Sequence, residues 1–214
     1  MALNHAQKEQ YWSLRDEIRN FILSRLNEEQ TKAVTLGEGP VLCLAGAGSG
    51  KTTAMVYRIF HLLAFGPDYD PKAEPPAWLN SEELDKLALW LAQPEDATVV
   101  SIRDLLEIIG QQGVPMYRIL AITFTNKAAQ EMRERLEVLL GSSVKDMWVL
   151  TFHSSCLRIL KRESDELTDY NKDFSIYDTK DQEQVIKEIL RPLNLDDKQH
   201  TPKRLFALDQ QPKK

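Results

Sequence analysis

The sequence predicts an α/β protein in which a parallel sheet is flanked by helices, with a helical insertion and the start of a second, helical domain. Three short apolar runs are each followed by a segment of helical periodicity, the pattern of parallel strands joined by crossover helices. Between the first and second runs, 50 residues rich in proline and acidic side chains interrupt this alternation. After about residue 170 only helical patterns remain, so we expect the sheet to end before that point.

Composition and charge narrow the possible functions. The 214 residues are 43% hydrophobic, which is enough to bury a core and excludes disorder as the main state. The 27 basic and 32 acidic side chains give a net charge of -5. The chain as a whole therefore lacks the positive charge of a general nucleic-acid or membrane-surface binder, and any phosphate binding must be local.

The cysteines, histidines and apolar runs predict a soluble, cytoplasmic protein. Cys43 and Cys156 lie far apart within apolar runs, so we expect two buried free thiols in a reducing compartment. The histidines show no zinc-ligand spacing; they are His5, His61, His153 and His200. We find no signal-peptide pattern and no apolar run of the roughly 20 residues that cross a membrane.

Two helices are predicted before the first strand. Apolar side chains at helical spacing predict an amphipathic helix over residues 6–25; they are Leu14, Ile18, Phe21, Ile22 and Leu26. A second helix is predicted to begin after Asn27, a favourable N-cap with Gln30 at the capping-box position. Gly37 marks its C-terminal end.

A glycine-rich loop follows the first predicted strand, Val41–Ala45, and opens a helix from Thr52 to about Phe65. The loop is Ala45-Gly46-Ala47-Gly48-Ser49-Gly50-Lys51-Thr52, a phosphate-binding pattern with Ala45 in place of its first glycine. In such loops backbone N–H groups converge on the phosphates, the lysine bridges the outer phosphates and the next hydroxyl ligates magnesium. The motif alone does not choose among kinases, GTPases and motor ATPases.

Residues 66–115 are predicted to form an insertion. They hold six of the ten prolines, and their ten acidic and three basic residues give a net charge of -7. Asn80, with Glu83 at the capping-box position, predicts a helix over 81–91, and Ser101 predicts another that ends at Gly110. We expect a small helical excursion packed on the main domain, either as a structural embellishment or as a docking site for a basic protein partner.

The alternation of strand and helix resumes after Pro115. It comprises strand Ile119–Phe124, helix Asn126–Leu140 between Thr125 and Gly141, strand Trp148–Phe152 and helix Ser154–Glu163. Two further helices are predicted at about Asp181–Leu190 and Pro202–Leu208. These patterns divide the chain into a domain over 1–170 and the beginning of another over 171–214.

Three more segments distinguish between the enzyme classes. They are Leu26-Asn27-Glu28-Glu29-Gln30 with Ala33-Val34, the run Ile119-Leu120-Ala121-Ile122-Thr123-Phe124-Thr125-Asn126-Lys127-Ala128-Ala129, and Val149-Leu150-Thr151-Phe152-His153-Ser154. With the glycine loop, and in this order, they resemble the UvrD/PcrA/Rep group of superfamily 1 DNA helicases over about residues 26–65 and 116–210. The resemblance implies an ATP-dependent 3′ to 5′ DNA helicase, with a partial P-loop (RecA-like) domain 1A at 1–170 and the beginning of helical domain 1B at 171–214.

The resemblance implies that the nucleotide is ATP, bound with Mg²⁺. Gln30 would belong to the Q motif that reads adenine, a role that suits an amide because it both donates and accepts hydrogen bonds. The same residue can cap the helix, and the two roles are compatible. The implied ATP-binding residues are Gln30, Ala45, Gly46, Ala47, Gly48, Ser49, Gly50, Lys51, Thr52 and Thr53, with Lys51 and Thr52 catalytic and Thr52 the magnesium ligand. For Arg58, further along the helix, a solvated face is favoured over a place near the nucleotide.

The other two segments resemble helicase motifs that contact single-stranded DNA. The implied contact residues are Thr123, Phe124, Thr125, Asn126, Lys127, Thr151, Phe152, His153 and Ser154. Hydroxyl and amide groups suit phosphates, Phe124 suits base stacking, and residues 118–162 hold eight basic and four acidic side chains. Three alternatives stay open: Phe124 in the core, Thr125 as an N-cap, and His153 in a structural hydrogen bond.

One part of a motor ATPase is not found in the sequence. Hydrolysis needs an apolar strand ending in Asp-Glu that holds magnesium and orients water. No such strand precedes Glu82-Glu83, Glu95-Asp96 or Asp196-Asp197. In the resembled family this motif, the phosphate-sensing arginines and the second motor domain lie further along the chain. We therefore expect a part that is incomplete for hydrolysis alone and that works with the C-terminal motor domain of the same protein.

Two rival functions remain from the sequence. One is a non-catalytic module that binds nucleotide or recruits a partner through the same surface. The weaker one is a P-loop kinase, which would need an acceptor site and phosphate-clamping arginines near the loop. Arg58 and Arg103 do not form such a cluster in the sequence.

Overall fold

The computed structural model describes residues 3–94, 101–110, 112–141, 143–166, 173–193, 201 and 205. In chain order the elements are α1 (His5–Leu23), α2 (Glu28–Thr35), α3 (Lys51–Phe65), α4 (Ser81–Ala92), α5 (Ile102–Ile109), β1 (Leu120–Thr123), α6 (Asn126–Leu140), β2 (Trp148–Thr151), α7 (Phe152–Arg162) and α8 (Thr179–Leu190). The α/β prediction is confirmed, with helices predominating. The chain divides into two compact units, Met1–Cys156 and Leu157–Lys214. No helix within the described ranges is long and apolar enough to cross a membrane.

Local capping signals set the helix ends where the sequence predicted them. The Asn27 side chain accepts a hydrogen bond from the Gln30 N–H at 2.9 Å, and the Gln30 side chain accepts one from the Asn27 N–H at 3.2 Å. This capping box confirms the start of α2. Ser101 caps α5, and Gly141 ends α6 at a φ of 62°, a conformation that favours glycine.

The insertion packs into the main core. Seven of its side chains join the same buried apolar cluster as residues of α1, α3 and α6; they are Leu79, Leu84, Leu87, Trp90, Leu105, Ile108 and Ile109. This confirms the predicted helical excursion and makes it part of the core. The predicted capping box of α4 is only half formed, because Asn80 accepts the Glu83 N–H at 3.2 Å while the Glu83 carboxylate binds Lys86 at 2.9 Å.

A buried arginine joins α1 to the insertion. Arg15 is 1% exposed, and its guanidinium donates to the carbonyl oxygen of Ile109 at 3.2 Å, to that of Asp70 at 2.8 Å and to Gln112 Oε1 at 3.2 Å. Its Cζ also lies 4.9 Å from the centre of the Tyr69 ring. A buried cation is strongly unfavourable unless its donors are satisfied. These contacts therefore hold α1 and the insertion together.

The sheet contains two parallel strands, β1 and β2, joined through α6. Thr123 pairs with Thr151 in the register, so the carboxyl ends of the two strands lie side by side. Arg133 of α6 donates from Nη1 to the Val149 carbonyl oxygen at 2.6 Å, which ties the helix to β2. Both of the later predicted strands are confirmed, with ends trimmed by one or two residues.

The first predicted strand, Val41–Ala45, is not part of this sheet. Among the described residues only β1 and β2 form a ladder, and Leu42 and Leu44 are 83% and 88% exposed. An apolar run becomes a strand only where a neighbour supplies its backbone hydrogen bonds, and the local pattern cannot report that neighbour. The predicted burial of Cys43 is wrong for the same reason, since Cys43 is exposed, and Cys156 is only partly buried.

The second unit contributes α8. Asp178 caps it by accepting hydrogen bonds from the Lys180 and Asp181 N–H groups at 2.7 and 2.9 Å, which confirms the predicted helix near residues 181–190. The predicted helix at Pro202–Leu208 falls almost entirely outside the described residues. The predicted domain boundary near residue 170 lies outside them as well.

A buried histidine lies where α1 packs on α3. His61 is 2% exposed, and its Nε2 accepts a hydrogen bond from Arg19 Nε at 3.3 Å. Its Nδ1 has no hydrogen-bond partner. Burial, with Arg19, Arg58 and Arg15 nearby, lowers the pKa of His61 to about 4, so the folded protein holds this ring neutral.

We expect Leu87→Ala to lower the free energy of unfolding by about 2–5 kcal/mol, because Leu87 is fully buried in the shared core. Leu89→Ala, on the same helix but 54% exposed, should change it by less than about 1 kcal/mol. Urea unfolding followed by tryptophan fluorescence measures both. Equal, small effects would show that α4 is not part of the cooperative core.

We expect stability to fall as the pH drops through the window from about 6.5 to 4 because of His61. The unfolded chain takes up a proton near pH 6.5, whereas the folded chain resists protonation until about pH 4, so acid favours unfolding. Between pH 7 and 5 this residue should account for about 1–2 kcal/mol. His61→Gln keeps an acceptor for Arg19 but cannot titrate, and its unfolding free energy should fall correspondingly less. Parallel losses in the two proteins would contradict the assignment.

Candidate functional site

The glycine loop before α3 has the backbone geometry of an anion site. Gly48 and Gly50 have φ values of 76° and 79°, the left-handed conformations that let neighbouring N–H groups converge on an anion. Gly50 is the N-cap of α3 and supplies no side-chain cap, so N–H groups of the first turn remain available for a ligand. A Cβ on Gly50 would lie 2.5 Å from Gln30 Nε2, so any other residue at this position would displace the Gln30 amide.

Lys51 folds over the loop. Its Nζ donates to the Gly46 carbonyl oxygen at 2.6 Å and to that of Ala45 at 3.3 Å. The Ser49 hydroxyl donates to the Gly46 carbonyl at 2.9 Å. Thr52 is exposed at the start of α3. The Lys51 ammonium is a group that can bind phosphate, and the exposed Thr52 hydroxyl is a group that can ligate magnesium.

Gln30 connects α2 to the loop. Besides its place in the capping box, its Nε2 donates to the Ser49 carbonyl oxygen at 3.1 Å. The cap role is therefore confirmed. The amide has one further N–H and one further lone pair, enough to donate and accept once more. The structure thus brings Gln30 and the predicted phosphate loop into direct contact.

Arg58 does not lie on a solvated face, and that expectation is wrong. It is half-buried, and its guanidinium donates to the Val34 carbonyl oxygen at 2.7 Å and to the Gly37 carbonyl oxygen at 3.3 Å. Burial lowers the pKa of Arg58, and the Asp68 charge opposes that shift. No local signal marks this contact, because the carbonyl acceptors lie more than 20 residues away in the sequence.

The predicted DNA-contact segments meet at one edge of the sheet. Thr123 and Thr151 are paired, so the residues that follow them leave the sheet side by side. The Phe124 side chain is fully exposed, at 102% of its reference value, and Phe152 is 60% exposed. The alternative that placed Phe124 in the core is wrong. Two exposed aromatic rings at neighbouring strand ends are suited to stacking on bases.

The hydroxyls at this edge make local structural contacts. Thr125 caps α6 by accepting the Ala128 N–H at 3.1 Å, so the N-cap alternative is confirmed for it. Thr151 is 7% exposed, and its hydroxyl donates to Ser154 Oγ at 2.8 Å. Thr123 donates to the Thr125 carbonyl oxygen at 3.0 Å. These groups shape the edge, whichever ligand it binds.

The remaining predicted contact residues, Asn126, Lys127 and His153, are exposed. The Lys127 ammonium lies 3.9 Å from the Glu131 carboxylate, a long ion pair at the surface. The His153 ring lies 6.0 Å from that of Phe152, nearly perpendicular to it. These side chains are placed to reach a ligand at the same edge as Phe124.

No carboxylate pair follows either described strand. Phe124 follows β1 and Phe152 follows β2. Glu82 and Glu83 lie in the first turn of α4, and the other two candidate pairs fall outside the described residues. Within the described ranges, no three His, Cys, Asp or Glu side chains are grouped closely enough to hold a metal ion.

A groove of about 830 Å³ lies among α1, α3, α4, α5 and α6 in the first unit. Apolar side chains dominate its lining, among them Phe21, Val56, Tyr57, Phe60, Trp90 and Leu139. Thr53 of the predicted nucleotide site also lines it. Sequence reasoning missed the groove, because five separate helices contribute to it.

Comparison with known proteins connects this geometry to a family. A family model described as the UvrD/REP helicase N-terminal domain matches residues 26–71 and 98–213. The unmatched internal stretch, 72–97, is therefore shorter than the predicted insertion of 66–115. Helix α5 and the residues around it match the family model, and α4 does not.

Individual relatives give the same result. The chain is 39% identical over 190 residues to the ATP-dependent DNA helicase PcrA of Bacillus subtilis strain 168, an overlap of 89% of this chain and 19% of that relative. It is 35% identical over 184 residues to the proteins of the same name from Staphylococcus aureus strain Mu50 and Staphylococcus epidermidis, in each case 86% of this chain and 19% of the relative. The chain thus spans about a fifth of the length of these relatives.

Proposed function

The chain belongs to the UvrD/REP helicase family, and from that premise we propose that it is the N-terminal ATP-binding and single-stranded-DNA-contacting part of an ATP-dependent 3′ to 5′ DNA helicase. The observation that carries the proposal is the contact of Gln30 with the glycine loop that opens α3. This contact places Gln30, whose amide can hydrogen-bond to a base, next to the loop whose backbone N–H groups can bind phosphates. The relatives are named ATP-dependent DNA helicases, which supports ATP as the nucleotide.

In the proposed nucleotide site each residue has a separate task. The turns at Gly48 and Gly50 present N–H groups to the phosphates, and Lys51 exchanges its loop carbonyls for the outer phosphate oxygens. Gln30 reads adenine with its remaining donor and acceptor. The exposed Thr52 hydroxyl would hold Mg²⁺, which supplies charge neutralisation on the phosphates when bound.

We propose that β1 and β2 belong to the larger sheet of a RecA-like domain. The support is the apolar surface left uncovered: Leu42 and Leu44 are almost fully exposed, and Leu120 and Ile122 of β1 are 48% and 43% exposed. A parallel sheet buries such side chains on both faces. The overlap covers 19% of the B. subtilis relative. We propose that further strands, the Asp-Glu pair and the second motor domain correspond to the part of that relative's length which the overlap does not cover.

Single-stranded DNA is proposed to bind at the carboxyl edge of β1 and β2. Phe124 and Phe152 supply stacking surfaces, and Lys127 and His153 supply polar contacts to the backbone. The net charge of +4 over residues 118–162, from eight basic and four acidic side chains, favours a polyanion at this surface. The proposed contact set also includes Thr123, Thr125, Asn126, Thr151 and Ser154. The hydroxyl groups among them act mainly through local hydrogen bonds that shape the backbone at the strand ends.

We expect Lys51→Ala to weaken Mg-ATP binding at least about tenfold, because it removes the ammonium that contacts the outer phosphates. Titration of the 214-residue chain with a fluorescent ATP analogue measures the affinity. Lys127→Ala, at the start of a different helix, is the matched control and should leave nucleotide binding unchanged. Phosphate release should stay at background with or without single-stranded DNA. DNA-stimulated release that Lys51→Ala abolishes would show that the chain contains its own catalytic carboxylate.

We expect Phe124→Ala to weaken single-stranded DNA binding by about 1–3 kcal/mol and to leave folding stability within about 0.5 kcal/mol of the parent, because the ring is fully exposed. Tyr117→Ala is the matched control, since this aromatic is 67% exposed but precedes β1 at its amino end. Fluorescence anisotropy with a labelled oligonucleotide compares the two variants. Equal losses of affinity would remove the DNA site from the carboxyl edge.

A further inference from the structure

Side-chain hydrogen bonds join α2 to the glycine loop near its start and to α3 near its end. Near its start, Gln30 Nε2 donates to the Ser49 carbonyl oxygen at 3.1 Å. At its end, the Arg58 guanidinium donates to the carbonyl oxygens of Val34 at 2.7 Å and Gly37 at 3.3 Å. Helix α2 is only eight residues long, so these hydrogen bonds hold it near both ends, and the fully buried Val34 adds apolar packing.

The chemistry at the Arg58 end calls for arginine. Val34 lies in the last turn of α2 and Gly37 two residues beyond the helix, where the carbonyl oxygens carry the partial negative charge of the helix end. A guanidinium presents several donors in one plane and can contact both oxygens at once, whereas a lysine ammonium is a point charge without that fork. Asp68 adds a compensating negative charge beside the half-buried guanidinium.

The Gln30 end lies directly against the glycine loop. Its Nε2 donates to the Ser49 carbonyl oxygen at 3.1 Å and lies 2.5 Å from the place that a Cβ on Gly50 would occupy. A small tilt of α2 would therefore shift the amide relative to the loop. The contacts of Arg58 with the far end of the helix oppose such a tilt.

We propose that Arg58 is a positioning residue for nucleotide selectivity, which acts through α2 to hold the Gln30 amide in place beside the phosphate loop. The inference rests on the proposed function, in which the loop binds phosphates and Gln30 reads adenine. The hydrogen bonds of Arg58 go to carbonyl oxygens of the protein, at the opposite end of α2 from Gln30. Loss of Arg58 should consequently affect the choice of base more than the binding of phosphates.

The test compares Mg-ATP with Mg-ITP, whose base has an oxygen where adenine has its 6-amino group. Dissociation constants are measured for the 214-residue chain and for Arg58→Met, Arg58→Lys, Gln30→Ala and the Arg58→Met/Gln30→Ala double variant. We expect the parent chain to prefer ATP and Arg58→Met to lose at least about fivefold of that preference, with ITP affinity changed less than about twofold. Arg58→Lys should recover part of the preference, and the double variant should lose no more than Gln30→Ala alone.

Arg133→Met is the matched control, because Arg133 also donates from Nη1 to a backbone carbonyl, that of Val149, but joins α6 to β2. It should leave the ATP to ITP ratio unchanged. An unchanged ratio in Arg58→Met, or additive losses in the double variant, would overturn the inference. If Arg58→Met does not fold, Arg58→Lys with and without Gln30→Ala gives the same comparison. A parent chain that binds neither nucleotide contradicts the proposed function, whereas equal binding of both contradicts base reading by Gln30 and with it the role of Arg58.

Discussion

Helix α3 has no side-chain cap at its first turn, while the rest of the helix is buried in the main core, and the packing around it depends on this combination. A side-chain cap at Gly50 would occupy the N–H groups that an anion needs, and the structure places none there. The helix is anchored further along, where Val56, Ile59, Phe60, Ala64 and Phe65 are buried in the main core. Helices α2, α5 and α6 pack on it there, and Arg58 adds the link to α2. The stability of the proposed phosphate site thus comes from apolar contacts one or more turns away from it.

Helix α1 and residues 72–97 lie outside the family match, and they contact each other. Three contacts join α1 to α4 and the residues before it: Gln7 with Ser81 at 2.7 Å, the Trp12 indole with the Ala73 carbonyl oxygen at 2.8 Å, and the rings of Phe21 and Trp90 edge to face at 5.6 Å. Arg15 and His61 are then buried at the inner side of α1. The burial of these ionisable groups is tolerable only because the carbonyl oxygens of Asp70 and Ile109 satisfy Arg15 and because His61 stays neutral. Asp70 and Ile109 lie within the family match, so α1 is held both by α4 and by the part of the chain that the family model matches.

At the carboxyl edge of the sheet, apolar side chains are exposed, whereas at the inner side of α1 ionisable side chains are buried. There the backbone is ordered by short-range hydroxyl contacts of Thr123, Thr125 and Thr151, and the aromatic side chains beside them stay exposed. The backbone of the edge is thus held by local hydrogen bonds while its aromatic side chains stay open, which is an arrangement that suits a stacking surface.

The sequence by itself determined what depends on neighbouring residues. The caps at Asn27, Ser101 and Thr125, the left-handed glycines of the loop and the periodicity of α1, α6 and α8 all act within a few residues, so the sequence predicted these elements and the family. Only the tertiary structure decided which groups meet across the chain. It left Leu42, Leu44 and Phe124 exposed, although their apolar character suggested burial, and it half-buried Arg58, whose charge suggested solvent. Burial is set by distant neighbours, and a strand or a buried cation exists only where another segment supplies the hydrogen bonds that water would otherwise provide.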